Sequence, residues 1–176
     1  REVMDFVRSR RQMKIVCFGA LAATLVMAAL GLILRPVAPS WRFLCEKPWA
    51  WAALAGMLIA YIPLHELTHG VVMKACGASV RYGYKVAYAY AGSDAYFTRP
   101  AYVAIALAPV VVWGIVFAVL AACLPREWFP AVWLWQLVNI SGAAGDFYCT
   151  CRILRAPRDT LVQDTGTAMT FYRKTN

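Results

Sequence analysis

Residues 49–72 read WAWAALAGMLIAYIPLHELTHGVV, and this stretch decides both the fold class and the chemistry. It is long enough to cross a bilayer, for which a helix needs roughly 20 apolar residues. Yet it holds His65, Glu66 and His69 in an H-E-x-x-H pattern, and these two histidines are the only ones in the chain. On a helix, positions i and i+4 share a face, so both imidazoles can reach one Zn²⁺. Glu66, next to the first of them, can hold a water at that ion and take its proton. Ionisable groups at membrane depth are costly and by default functional. The competing reading is a chance H-E-x-x-H, as found in soluble helices with ordinary histidines. The membrane setting and the absence of other histidines weigh against it.

Outward from this stretch lie three more apolar runs, at about 15–34, 101–124 and 128–154. Hydrophobic residues make up 61% of the 176 and charged residues 15%, where a soluble domain carries about 25% charged. The expected fold is an all-α membrane protein with four transmembrane helices, forming a single domain over residues 1–176. The first run has a basic flank like that of a signal peptide. It exceeds the 7–15 apolar residues of a signal core, so it reads as a retained helix.

Charge sets the orientation. Of the 18 Lys and Arg residues, only Arg35, Arg42, Lys47 and Arg126 fall on the first and third connections. The rest crowd the N-terminal flank, the second loop and the C-terminal tail, which places both termini in the cytoplasm. The net charge of +9 reflects this bias and suits anionic lipid. No nucleic-acid-binding motif competes with that reading. Trp41, Trp49, Trp51, Trp128, Trp133 and Trp135 fall near the expected outer ends of the spans, as an aromatic belt would. The six cysteines are scattered without C-x-x-C. They read mostly as small apolar packing residues, with no disulfide framework.

A catalytic zinc usually takes three protein ligands and leaves one position open. With no third histidine, the remaining ligand must be Asp, Glu or Cys. Outside the motif the acids are Glu2, Asp5, Glu46, Asp94, Glu127, Asp146, Asp159 and Asp164, and only Asp146 lies inside an apolar span. His65 is about 24 Å in from Trp49, and Asp146 about 27 Å in from Trp128, at 1.5 Å per helical residue. The two sit at nearly the same depth, in the cytoplasmic third of a roughly 30 Å core. The small residues Gly142, Ala143 and Gly145 before Asp146 would let another helix approach closely. The bland alternative is a protonated aspartate on a packing face. Asp164 is a further candidate ligand if the tail folds back, with a turn at Asp164-Thr165-Gly166. Pro63, two residues before His65, either opens a water path or bends the helix for packing.

Residues 77–99 break the helical pattern. Val80, Tyr82, Tyr84, Val86, Tyr88 and Tyr90 alternate with Arg81, Gly83, Lys85, Ala87 and Ala89. A period of two predicts a short strand or hairpin segment between helices 2 and 3. Its edge would lie beside the metal helix, where an extended peptide can add by backbone hydrogen bonds. A purely structural hairpin, with tyrosines at the headgroups, is the alternative.

These residues resemble a known group. HELTHG at 65–70, the strand-like segment after it, Ala108-Pro109 in the next span, and Asn139 followed by Gly145-Asp146 look like site-2 protease-like intramembrane metalloproteases. They are more similar still to the small four-helix "putative zincin peptidase" family of bacterial membrane proteins. The resemblance runs from about Trp49 to Asp164. It implies Zn²⁺ at His65, His69 and Asp146, and a substrate-contacting role for Asn139. It also implies the bacterial cytoplasmic membrane. Gly145-Asp146-Phe147 stands where the site-2 group has Leu-Asp-Gly. The expected function is a zinc-dependent intramembrane peptidase with Glu66 as the catalytic base. It would cleave membrane-associated peptide substrates near the cytoplasmic face, with the lipid bilayer as the other partner. A non-enzymatic membrane protein with a structural or regulatory metal site is the alternative. A metal-binding transporter component is a weaker third.

Overall fold

The computed structural model of the chain describes residues 2–4, 9–34, 42, 45–85, 88–166 and 168–172. Arg1, Asp5, Arg8, Arg35, Trp41, Val86, Ala87, Arg173 and Lys174, all given roles from sequence, lie outside the described residues.

Three long helices dominate. Helix α1 spans Arg10–Leu34, α2 spans Pro48–Ala75 and α3 spans Arg99–Cys123. Their length and composition are enough to cross a membrane. Helices α2 and α3 each begin with a proline at one of the first two positions, where its missing N–H costs nothing. Helix α2 ends in a Schellman turn. Gly77 takes φ +83°, its N–H bonds Lys74 O, and the Ala78 N–H bonds Met73 O. Only glycine adopts that conformation freely, so the chain turns sharply after α2.

The expected fourth span is not one helix. Residues 129–155 form α4 (Phe129–Gly142, 14 residues) and α5 (Ala144–Arg155, 12 residues), which meet at Ala143. Among the described residues three helices, not four, have the length of a span. Gly142 and Gly145 flank the break, and each weakens a helix by about 1 kcal/mol relative to alanine. The two glycines do not serve close packing. A Cβ at Gly142 or Gly145 would meet nothing within 4 Å.

The fold class needs a second correction, from all-α to mostly helical with two small sheets. One sheet is the expected hairpin of β2 (Arg81–Lys85) and β3 (Tyr88–Gly92), paired antiparallel with Tyr82 opposite Ala91. The other joins β1 (Glu2–Met4), β4 (Tyr96–Thr98), β5 (Leu161–Asp164) and β6 (Met169–Tyr172) in the order β1-β6-β5-β4. The tail therefore folds back on the protein. The expected turn at 164–166 is present, with Gly166 at φ +79° and its N–H bonded to Asp164 Oδ1.

Two clusters of buried side chains hold the elements together. Met73, Phe97, Ile105, Ile153, Val162 and Phe171 join α2, α3 and α5 to the four-stranded sheet. Tyr61, Phe117, Val132 and Trp135 fill the space between α2, α3 and α4. At the sheet, burying each large apolar side chain stabilises by about 1.5–3 kcal/mol. Between helices at membrane depth that gain is small, because lipid is equally apolar, and packing with hydrogen bonds decides instead. The tryptophans supply such bonds. The indole of Trp133 donates to Met27 O at 2.8 Å, Trp135 to Leu54 O at 3.3 Å and Trp113 to Thr68 Oγ1 at 3.1 Å. Trp133 thus pins α4 to α1, and Trp135 pins α4 to α2. Trp49 and Trp128 do meet at one end, with ring centroids 5.5 Å apart. All six cysteines are free thiols, and only Cys149 is buried, so most are not packing residues of the core.

Candidate metal centre

The helix break delivers Asp146 to the histidines. Asp146 lies in the first turn of α5, where the helix dipole favours a negative charge. Its Oδ2 is 3.2 Å from His65 Nε2 and its Oδ1 is 3.5 Å from His69 Nε2. One ligand atom from each of the three residues lies within 4.8 Å of the others. Donors bonded to a tetrahedral zinc at about 2.0–2.1 Å would stand about 3.3 Å from one another. The spacing therefore fits a single small divalent ion. Two imidazoles and one carboxylate are also the borderline donor set that suits zinc.

The far side of each ring is held. His69 Nδ1 is 2.8 Å from Ile105 O. His65 Nδ1 is 2.9 Å from the Tyr61 hydroxyl, which donates to Asn139 Oδ1 at 2.7 Å. The Asn139 amide nitrogen donates to Val110 O at 3.1 Å. Asn139 is fully buried, and both ends of its amide are engaged within the protein. This is not the open, substrate-facing position implied by the resemblance. Tyr61 was not singled out from sequence. It lies one helical turn before His65, a spacing that puts the two side chains in reach.

Glu66 faces a cavity of about 370 Å³ that His69 and Asp146 also line. The rest of its wall is mainly apolar, with Met73, Ile105 and Met169 among its residues. The carboxylate of Glu66 accepts the backbone N–H of Ala91 at 3.1 Å, tying β3 to the metal helix. In an antiparallel pair, alternate residues turn their backbone groups away from the partner strand. Ala91 does so, and Ala89, two residues back, shares the cavity wall with it. The free edge of the hairpin thus faces the site.

Asp164 reaches the same cavity but falls outside the ligand group. Its carboxylate accepts from the Tyr102 hydroxyl at 2.6 Å and from Gly166 N–H at 2.8 Å. Burial pushes its pKa above the usual carboxylate range, against the lowering effect of those two bonds. On the solvent side, Arg81 bonds Asp94 at 2.6 Å and holds that carboxyl below its ordinary range. This ion pair closes the open end of the hairpin.

Searches of curated proteins and of solved structures give no match to the chain. A family model described as "Putative zincin peptidase" matches residues 58–161. That segment contains Tyr61, the H-E-x-x-H helix, the hairpin, Asn139 and Asp146. The match covers more than half of the chain, which therefore belongs to the putative zincin peptidase family.

Proposed function

We propose that this protein is a zinc-dependent intramembrane peptidase of the site-2 protease-like type, working near the cytoplasmic face of a bacterial membrane. The observation that carries the reading is the convergence of His65 Nε2, His69 Nε2 and Asp146, with Glu66, His69 and Asp146 lining a mainly apolar cavity. Those three side chains would hold the ion. When bound, zinc supplies Lewis acidity and lowers the pKa of a coordinated water. Glu66 takes a proton from the attacking water on its carboxylate and passes it to the nitrogen of the leaving amine.

The β3 edge supports a peptide as substrate. An extended chain laid along Ala89 and Ala91 would pair with their outward backbone groups. A substrate bound there would compete with Glu66 for the Ala91 N–H and leave the carboxylate free for its proton transfers. A helical segment cannot pair in this way, so the substrate unwinds locally before it is cut. The positive-inside bias supports cytoplasmic termini, and the tail sheet then lies on that side. Residues 1–176 act as one domain in this reading, with the bilayer and a membrane-associated peptide as partners.

The test compares purified wild type and Glu66→Gln in lipid nanodiscs, with a library of quenched membrane peptides and metal analysis of both samples. Glu66→Gln should keep its zinc and lose about 10²–10⁴-fold in cleavage rate. Undiminished cleavage by Glu66→Gln would rule out the mechanism. No cleavage by wild type, together with unfolding on chelation, would favour a structural metal site.

A further inference from the structure

Helix α3 supplies groups that decide which nitrogen of each histidine carries its hydrogen. In an α-helix the carbonyl of residue i is taken by the N–H of residue i+4. For Ile105 that position is Pro109, which lies inside α3 and has no N–H to give. Both residues are buried, and a buried carbonyl without a donor is costly. His69 Nδ1, at 2.8 Å, meets that need. A carbonyl only accepts, so Nδ1 bears the hydrogen and Nε2 turns a lone pair toward Asp146.

The same logic runs along a longer path for His65. Val110 O can only accept, so the Asn139 atom facing it at 3.1 Å is the amide nitrogen. Asn139 Oδ1 therefore faces Tyr61, and it too can only accept. Tyr61 gives its single hydrogen to Asn139 at 2.7 Å. Its oxygen is then an acceptor for His65 Nδ1–H at 2.9 Å. Again Nε2 is left bare and turned toward Asp146.

We propose that Pro109 is a positioning residue of the metal site, acting by the N–H it lacks, and that Tyr61 and Asn139 are its counterparts for the other ring. Together they hold both imidazoles with hydrogen on Nδ1 and the ligand lone pair on Nε2. The arrangement works against Asp146. Without a cation, that carboxylate by itself would favour a hydrogen on either Nε2, because it is an acceptor in contact with both. The groups from α3 oppose that pull. The consequence for metal affinity rests on the ligand roles proposed above; the hydrogen positions do not.

The chain has two histidines, so a tag-free sample labelled with ¹⁵N-histidine contains only two imidazoles. Spectra are recorded on metal-free protein at about pH 9, well above the range where free imidazole is charged. Wild type should show hydrogen on Nδ1 of both rings. Tyr61→Phe keeps the ring packing and should shift hydrogen to Nε2 of His65 alone. Pro109→Ala restores the N–H that takes Ile105 O and should create an Nε2–H population at His69 alone. Cobalt affinity should fall about 10–100-fold in each variant, as expected when the outer partner of a ligand histidine is lost. A ring lacking hydrogen on Nδ1 in wild type overturns the proposal, with no variant needed. A His69 unaffected by Pro109→Ala overturns the role of the proline. Because the spectra are read without metal, failure of the zinc reading and failure of this one can be told apart.

Discussion

Glu66 accepts the backbone N–H of Ala91 at 3.1 Å, so the carboxylate proposed as the base is bonded to β3, the second strand of the hairpin that follows α2. The Schellman turn at Gly77 makes this return possible. Tyr82 reinforces it, lying so close over Gly70 that a Cβ there would overlap its ring. Lys74 sits 5.5 Å above the same ring. The hairpin and α2 are therefore one unit, and the tail packs on the other side of the hairpin.

That placement gives a first prediction. A Cβ on Gly92 would overlap the backbone of Thr165 and Gly166, and backbone cannot swing aside as a side chain can. Gly92→Ala should force β3 away from the β5–β6 turn, at a cost of about 1–3 kcal/mol for overpacking. Cleavage should fall while zinc content stays near that of wild type, since no ligand moves. Gly56→Ala is the control, because a Cβ there meets nothing within 4 Å. Equal thermal stability and cleavage in the two variants would show that the tail does not position the hairpin.

Removing a ligand tests the centre directly. His65→Ala and Asp146→Asn should each lose zinc, and by more than the 10–100-fold expected for an outer partner. Chelation of wild type should lower its thermal midpoint. A ligand at a hundred times its Kd contributes about 2.7 kcal/mol to stability. In Asp146→Asn the chelator should change the midpoint little. Equal metal content in wild type and both variants would remove these residues from the site.

The sequence made the candidate ligand group legible, because two scarce histidines and one acid inside an apolar run left few combinations. Elimination left Asp146, and its expected depth matched that of His65. What it could not show was how Asp146 arrives. The run Ser141–Gly145 reads equally as a packing face or a helix break, since small residues favour close approach and glycine weakens a helix, and tertiary contacts settle which effect wins. The four-stranded sheet escaped notice because its strands have three to four residues each, too few for a period of two to stand out. The bond between Asn139 and Tyr61 was not legible, because the two lie 78 positions apart in sequence and no local pattern reports such a bond.

Asp164 gives a prediction in pH. Burial raises its folded-state pKa above the unfolded value near 3.9. The folded protein thus binds this proton more tightly than the unfolded chain. The stability it contributes is fully present below the unfolded value and is lost as pH rises through the raised folded value. Denaturation of metal-free wild type and Asp164→Asn at pH 4 and pH 8 isolates the effect. The advantage of wild type over the variant should shrink from the first pH to the second. An advantage that grows with pH would mean the bonds from Tyr102 and Gly166 outweigh burial.

Helix α1 lies outside the family match at 58–161, yet its Met13 lines the cavity. The Trp133 indole ties it to α4, donating to Met27 O and lying where a Cβ on Gly31 would be. Gly31→Leu should therefore drive α1 from α4. Trp133→Phe should lose the hydrogen bond, about 0.5–1.5 kcal/mol, together with the packing of the five-membered ring against Gly31. If α1 is a working part of the enzyme, Gly31→Leu lowers both the thermal midpoint and cleavage, while Trp133→Phe lowers the midpoint slightly and leaves cleavage nearly intact. Should Gly31→Leu unfold and cleave like wild type, α1 is only an anchor and the cavity wall closes without it. The two variants separate these cases because one displaces the helix that carries Met13, and the other loosens its attachment without moving it.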